Sequence, residues 1–242
     1  MLTAIILTHN EELHLPDCLR SVAWAEQVIV FDSYSTDGTL AIARAAGARV
    51  LQREFDNYAG QRNGALQAAQ TEWVLFVDAD ERVSPESAQE IQRVLTRPEA
   101  GWWLPRHNYI FGRLTRHTGW YPDYQLRLLR GARAHYERPV HEVVVLAGEA
   151  GYLTHPLTHL NYASVPEFIA KQRAYAQYEA ERLAAQGARA QPHHLLTQPL
   201  RQFWWRFITL QGWRDGWHGL RLSWLMAGFE FEKYQRLRRY QR

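Results

Sequence analysis

Three short apolar runs in the first eighty residues each give way to polar side chains, and stretches of helical character separate them. Residues 3–8, 27–31 and 73–77 are rich in Ile, Val, Leu and aromatics, the composition of buried strands. The first leads into Thr8-His9-Asn10-Glu11, the second into Asp32, the third into Asp78-Ala79-Asp80-Glu81. Pro16 suits the first turn of a helix reaching about residue 22. Ser35-Thr36-Asp37-Gly38 carries cap chemistry for a helix over 39–46, which Gly47 ends before a short strand at 48–51. A helix is predicted over 57–70, and Ser84-Pro85 opens another that reaches about 95. Strand and helix alternating at this spacing imply a mostly parallel sheet with right-handed crossovers. In such a sheet ligands bind outside the carboxyl ends of the strands, where these polar residues fall.

The pattern changes after Pro98. Residues 101–109, 124–129 and 140–146 look extended, and 165–186 is helical by composition. Gln191-Pro192 interrupts the chain. Helices are then predicted over 195–210 and 220–239, with a Gly-rich joint at 212–219. The expected organisation is an α/β domain over 1–160, with halves 1–98 and 99–160, followed by a helical, aromatic and basic region over 161–242.

The chain has 242 residues, of which 46% are hydrophobic, enough for a substantial core. The single Cys18 excludes an internal disulfide framework and a multi-cysteine zinc site, and it fits a reducing compartment. The apolar run at 2–7 has no basic leader and reads as a strand, not a signal peptide. No run approaches the roughly 18 apolar residues of a bilayer-spanning helix. Net charge is +3, yet residues 199–242 hold nine Lys/Arg against three Asp/Glu, so the rest of the chain is acidic.

Asp78-Ala79-Asp80 is the most specific chemical feature. Two carboxylates one residue apart at a strand end can hold a hard divalent cation, and the cation can hold a diphosphate. Asp32 can accept hydrogen bonds from a base or a ribose hydroxyl. Taken singly, Asn10 and Asp32 are equally explained by turn and cap chemistry. The coincidence of acidity and strand-end position at several places favours a site.

Residues 5–11 (Ile-Ile-Leu-Thr-His-Asn-Glu), 30–39 (Val-Phe-Asp-Ser-Tyr-Ser-Thr-Asp-Gly-Thr) and 77–81 (Val-Asp-Ala-Asp-Glu) resemble the successive donor-site motifs of family 2 glycosyltransferases. The likeness covers roughly residues 1–145. Gly212-Trp213-Arg214-Asp215-Gly216 and Phe231-Glu232-Lys233-Tyr234 are similar to the tail of a narrower branch, the lipopolysaccharide-core β-1,4-glucosyltransferase-like proteins. The resemblance implies a GT-A fold with a C-terminal helical appendage, a UDP-sugar donor, Mg²⁺ or Mn²⁺, and inversion at the transferred hexose, most simply glucose. It implies that Thr8, Asn10 and Glu11 line the nucleotide pocket and that Asp32 meets uracil or ribose. Arg62, in Gln61-Arg62-Asn63-Gly64, would face the nucleotide or its phosphates; Asp78 would bind ribose or a metal-bound water, and Asp80 the metal.

Transfer of this kind needs a base for the acceptor hydroxyl. Asp123, in Trp120-Tyr121-Pro122-Asp123-Tyr124-Gln125-Leu126-Arg127, is the candidate, set among aromatics that can stack on sugar rings. Pro122 stands where many family members have a Glu, and an Asp held by a nearby Arg in a turn is the plain alternative. His141 is a candidate third metal ligand and Glu142 a rival base; a packed strand histidine is the competing assignment. The other histidines, His159 among them, show no metal-ligand spacing. Trp102 and Trp103 are adjacent on a strand and face opposite sides, one for the core and one for the acceptor.

Five of the ten tryptophans fall in the basic tail. Aromatics with arginine on short helices suit the surface of an anionic membrane, and packing of those aromatics within a helical appendage is the alternative. No nucleic-acid motif accompanies the charge, so no nucleic-acid partner is expected. The expected location is cytoplasmic, peripheral on the cytoplasmic face of the inner membrane, with a glycolipid or saccharide acceptor. Two other functions fit parts of the sequence. A haloacid-dehalogenase-type phosphohydrolase would use Asp78 as nucleophile, but needs a downstream Lys, and only Lys171 and Lys233 exist. A non-catalytic membrane adaptor would need neither aspartate.

Overall fold

The computed structural model describes residues 1–138 and 142–241. The chain divides into two compact units, residues 1–106 with 123–159, and residues 107–122 with 160–242.

The first unit begins with β1 (Leu2–Thr8), α1 (Leu15–Val22), β2 (Gln27–Asp32), α2 (Thr39–Ala45), β3 (Arg49–Gln52), α3 (Tyr58–Ala68) and β4 (Trp73–Asp78). β1 pairs in parallel with both β2 and β4, giving the order β3-β2-β1-β4 at this edge of the sheet. This is the predicted alternation. β1 and β4 are continuous apolar runs because helices cover both faces of the sheet. Ala4, Ile6, Trp73, Leu75 and Val77 face one core cluster with Leu15, Leu19 and Ile91. Ile5, Val74 and Phe76 face the other with Phe31, Ala65 and Leu66. Each fully buried large side chain of this set contributes roughly 1.5–3 kcal/mol by leaving water.

The helix starts follow the sequence. Ser84 accepts from Ser87 N–H and Pro85 opens α4 (Pro85–Val94), after the two-residue strand β5 (Glu81–Arg82). Asn57 caps α3 by accepting from Gly60 N–H. The N-cap of α2 is Gly38, while the neighbouring Asp37 accepts from Thr39 N–H at 3.0 Å.

β6 (Gly101–Ile110), β7 (Arg113–Thr115) and β8 (Asp123–Arg130) follow. β8 pairs antiparallel with β4 and with β6, so the parallel sheet continues as an antiparallel one. β9 (Ala134–Glu137) and β10 (Val143–Leu146) form a separate two-stranded sheet. β11 (Ala150–Tyr152) lies parallel to β6, and β12 (Leu157–Tyr162) pairs antiparallel with β5, His159 opposite Glu81. β5, β7, β9, β11 and β12 were not predicted. They are two to six residues long, and their pairing supplies what their local sequence does not.

The second unit packs β7 and the end of β6 with α5 (Val165–Ala185), α6 (His194–Trp204) and α7 (Gly216–Arg239). Its core holds Ile110, Tyr162, Phe168, Leu222 and Phe229. Beyond Trp204 the chain continues as a π-helical stretch, Trp205–Thr209, where a single helix to 210 was predicted. The Gly-rich joint has a steric cause: a Cβ on Gly219 would lie 1.9 Å from the carbonyl oxygen of Gly212. Backbone meets backbone there, and only glycine permits it.

Candidate active site

Register brings the predicted polar strand ends to one edge, with Thr8 beside Asp32 and Leu7 beside Asp78. Thr8 Oγ1 donates to Asp32 Oδ1 at 2.9 Å. Asp32 is buried and also accepts from Ser35 N–H at 2.9 Å, the Ser35 hydroxyl, and Gln52 Nε2 at 3.1 Å. Asn10 has a φ of 58°, a left-handed conformation that Asn tolerates. Its Oδ1 accepts from Thr36 N–H at 2.8 Å and its own N–H donates to Ser35 Oγ at 2.8 Å. Glu11 N–H donates to Thr39 Oγ1 at 2.8 Å. The loops after β1 and β2 therefore form one hydrogen-bonded rim, and Asp32 is its internal tie.

Next to this rim runs a ladder of alternating charge. Glu142 Oε1 accepts from Arg62 Nε at 3.0 Å, and Arg62 Nη2 reaches Asp78 Oδ1 at 3.2 Å. Arg127 grips both oxygens of Asp78 and comes within 3.4 Å of Glu81 Oε1. Glu81 is fully buried; it accepts from Asp78 N–H at 3.0 Å and from Arg106 Nη1 at 3.0 Å. Arg106 then holds Asp123 Oδ2 through Nη2 at 2.6 Å and Nε at 2.9 Å. Four carboxylates and three guanidiniums thus alternate from Glu142 to Asp123, the two candidate bases standing at its ends. Burial alone would raise the Asp78 carboxyl, but Arg127 and Arg62 outweigh it and hold it far below the usual carboxylate range. The same attraction holds Arg127 above the ordinary guanidinium value against its own burial.

The ladder settles several assignments. Asp78 is committed to two arginines and is not poised as a nucleophile. Arg62 is no solvated helix residue: it is buried beside the rings of Phe76 and Tyr136, with its guanidinium 5.3 and 5.6 Å from their centroids. The arginine that holds Asp123 is Arg106, the residue opposite it in the β6–β8 pairing, not the neighbouring Arg127. Cys18 is buried, its thiol pushed up by burial, which leaves it inert as a nucleophile.

Asp80 stands outside the ladder. Its carboxylate is partly exposed and lies 3.3 Å from His159 Nε2. The β5–β12 pairing places that histidine, which carries no local sequence signal because its partner is far away in the chain. Cis ligands of an octahedral cation with bonds of about 2.1 Å are roughly 3 Å apart, so this carboxylate and imidazole suit one hard divalent ion. Among the described residues no group of three His, Cys, Asp or Glu could enclose a metal, so any further ligands come from elsewhere. His141 lies outside the described residues.

A cavity of about 370 Å³ opens over the ladder, lined by Arg62, Asp78, Trp103, Gln125, Arg127, Tyr136 and Glu142 among others. Arg62 Nη1 and Arg127 Nε are buried there without a hydrogen-bond partner. Trp102 is in the core, while Trp103 faces the cavity and stacks on Tyr152 at 6.1 Å between centroids. Tyr124 meets Tyr152 edge-on at 5.1 Å. Trp103, Tyr152 and Tyr124 therefore form one aromatic cluster, and Gln125, on the same strand as Tyr124, donates to Asp123 Oδ1 at 2.9 Å.

Comparison with known proteins agrees with this geometry. The model of the family described as glycosyl transferase family 2 matches residues 3–145. The chain is 29% identical over 233 residues to the lipopolysaccharide core biosynthesis glycosyltransferase LpsC of Rhizobium meliloti (strain 1021), covering 90% of this chain and 84% of that protein. It is 27% identical over 259 residues to an uncharacterized glycosyltransferase of Rickettsia felis, covering 98% and 89% of the two chains. The crystal structure of S. aureus TarS 1-349 in complex with UDP superposes with a TM-score of 0.51 at 18% identity, covering 97% of this chain and 91% of that one. At that identity the likeness concerns the fold, and it is the GT-A fold that the donor motifs imply. The strand-end aspartates, the family match and the shared fold converge: the chain belongs to glycosyl transferase family 2.

Proposed function

We propose that this glycosyltransferase moves a hexose, most simply glucose, from a UDP-sugar to a saccharide of the lipopolysaccharide core or a related glycolipid, with inversion. The observation that carries the reading is Asp80 with His159 beside it, a metal-suited pair next to a ladder that ends on the partly exposed carboxylate Asp123. The name of LpsC supports the acceptor class, and the UDP held by TarS supports the nucleotide. The rim of Thr8, Asn10 and Glu11, tied from inside by the buried Asp32, binds the nucleoside, and the guanidiniums of Arg62 and Arg127, which line the cavity, lie beside its phosphates. Asp80 and His159 would hold Mg²⁺ or Mn²⁺, which would supply positive charge against the leaving diphosphate.

In a single displacement the acceptor oxygen bonds to the anomeric carbon as the bond to UDP breaks on the opposite side. Asp123 takes the hydroxyl proton, oriented by Arg106 and Gln125. Trp103, Tyr124 and Tyr152 hold the acceptor ring, whose C–H face packs on aromatic surface. Reaction on such an acceptor places the enzyme at the cytoplasmic face of the inner membrane.

The test is UDP release from a panel of nucleotide sugars, with Mn²⁺ or chelator, and with or without core saccharide. Acceptor-dependent release from UDP-glucose that requires metal supports the reading. Release of inorganic phosphate, or the same rate without acceptor, rejects it.

A further inference from the structure

The C-terminal unit carries an apolar surface that its own core leaves uncovered. Trp24, Trp73, Trp102, Trp103 and Trp120 are buried or half-buried. Trp204, Trp205, Trp213, Trp217 and Trp224 are all exposed, Trp217 and Trp224 at 75% and 71%. Packing within the unit therefore does not account for them.

The exposure is patterned. On α7, Trp217, Arg221, Trp224 and Phe231 are exposed at steps of four, three and seven residues, which is one helical stripe. Leu222, Ala227, Phe229 and Leu237 occupy the buried side. On α6, Leu196, Leu200 and Trp204 are exposed at steps of four. Phe203 meets Trp224 edge-on at 6.0 Å, and His194 meets Tyr234 at 5.5 Å, so the two helices run antiparallel. Leu200 is one turn before Phe203, which joins the α6 stripe to that of α7. Contiguous exposed apolar surface of this kind marks an interaction site.

Its charge selects the partner. From residue 194 to the end of the stripe the acidic side chains are Asp215, taken by His117 at 2.7 Å, and Glu230 and Glu232 beside Phe231, paired with Lys233 and Arg236. Arg201, Arg214 and Arg221 are exposed there, whereas Arg206 turns inward to the Thr118 carbonyl. Arg236, farther along α7, is paired with Glu232 at 2.6 Å. A second copy would set arginine against arginine, the stripe's carboxylates being already paired with His117, Lys233 and Arg236. Lipid phosphates supply the missing negative charge, and tryptophan favours the boundary between headgroups and acyl chains.

We propose that this face seats the protein on an anionic bilayer, with the tryptophans at the headgroup boundary and Arg201, Arg214 and Arg221 on lipid phosphates. Among the described residues no helix is long and apolar enough to cross, so the attachment is interfacial. It goes beyond the proposed transfer reaction and does not depend on which donor is used.

The test is sedimentation of the full chain with vesicles of phosphatidylcholine, with and without phosphatidylglycerol. We expect binding to the anionic vesicles, a blue shift of tryptophan emission, and partial release by salt. Trp217→Ser with Trp224→Ser should lower partitioning by roughly tenfold or more. Arg201→Gln, Arg214→Gln and Arg221→Gln together should lower it on the order of 100-fold at low salt and abolish the preference for anionic lipid. All five side chains are exposed, so unchanged melting temperatures would confirm that the variants fold. Equal partitioning of wild type and variants, or of anionic and neutral vesicles, overturns the proposal. So does a solution dimer that the tryptophan variant dissolves without any vesicle binding, which assigns the face to a second copy.

Discussion

Arg127 holds both carboxylate oxygens of Asp78, with Nη1 3.3 Å from Oδ1 and Nη2 bonded to Oδ2, and the same Nη2 lies 3.4 Å from the buried Glu81. One guanidinium thus bridges two carboxylates at the strand end where the donor is expected. The first aspartate of the motif is thereby bonded to two arginines, whereas the second, Asp80, is partly exposed beside His159.

Arg127→Met should destabilise the fold by roughly 3–5 kcal/mol, because it strands Glu81 and Asp78 with less charge compensation. Urea unfolding at neutral pH measures this. A loss below about 1 kcal/mol would show that Arg106 and Arg62 already suffice.

The same pair has a pH signature. The folded Asp78 carboxyl lies far below its unfolded value of about 3.9, so its contribution is complete above that value. It is lost progressively as pH falls below that value toward the folded one. In Arg127→Met the main depressing charge is gone, so less stability remains to be lost and the fall below about pH 4 should be shallower than in wild type. Stability curves over the acid range compare the two, and superimposable acid limbs would reject the coupling.

Asp80→Ala should lower turnover by roughly 10²–10³-fold and abolish metal-dependent stabilisation by UDP, while the melting temperature of the ligand-free protein holds. His159→Ala should weaken Mn²⁺ dependence in the same direction. Unaltered metal dependence in both variants would move the site away from this pair.

Asp123→Asn should keep UDP binding and lose transfer by about 10²–10⁴-fold, since an amide cannot accept the proton. Glu142→Gln is the control at the opposite end of the ladder. If Glu142→Gln alone abolishes transfer, the base is Glu142, and Asp123 serves only to hold Arg106.

Tyr152→Ala should raise the KM for a saccharide acceptor by several-fold to about tenfold with little change in the KM for donor, as expected for one lost stacking partner. Tyr152 is 62% exposed, so folding should be unaffected. An increase confined to the donor KM would contradict an acceptor role for the aromatic cluster.

What the chain alone determined is local. The sequence announces β1, β2 and β4 by apolar runs and helix starts by Pro16 and Ser84-Pro85, because burial on both faces and capping are written within a few residues. The strand-end carboxylates and the aromatic, basic tail were equally legible. Tertiary structure alone decided what each polar group faces. Glu81 and Arg106 meet Asp78 and Asp123 across sheet pairings, and His159 reaches Asp80 only through a strand too short to show a pattern. It also decided that the five tail tryptophans point to solvent, since a helical stripe in sequence does not say whether another helix covers it. Charge partners and covered faces are set by contacts between distant segments, and no window of sequence contains both sides of such a contact.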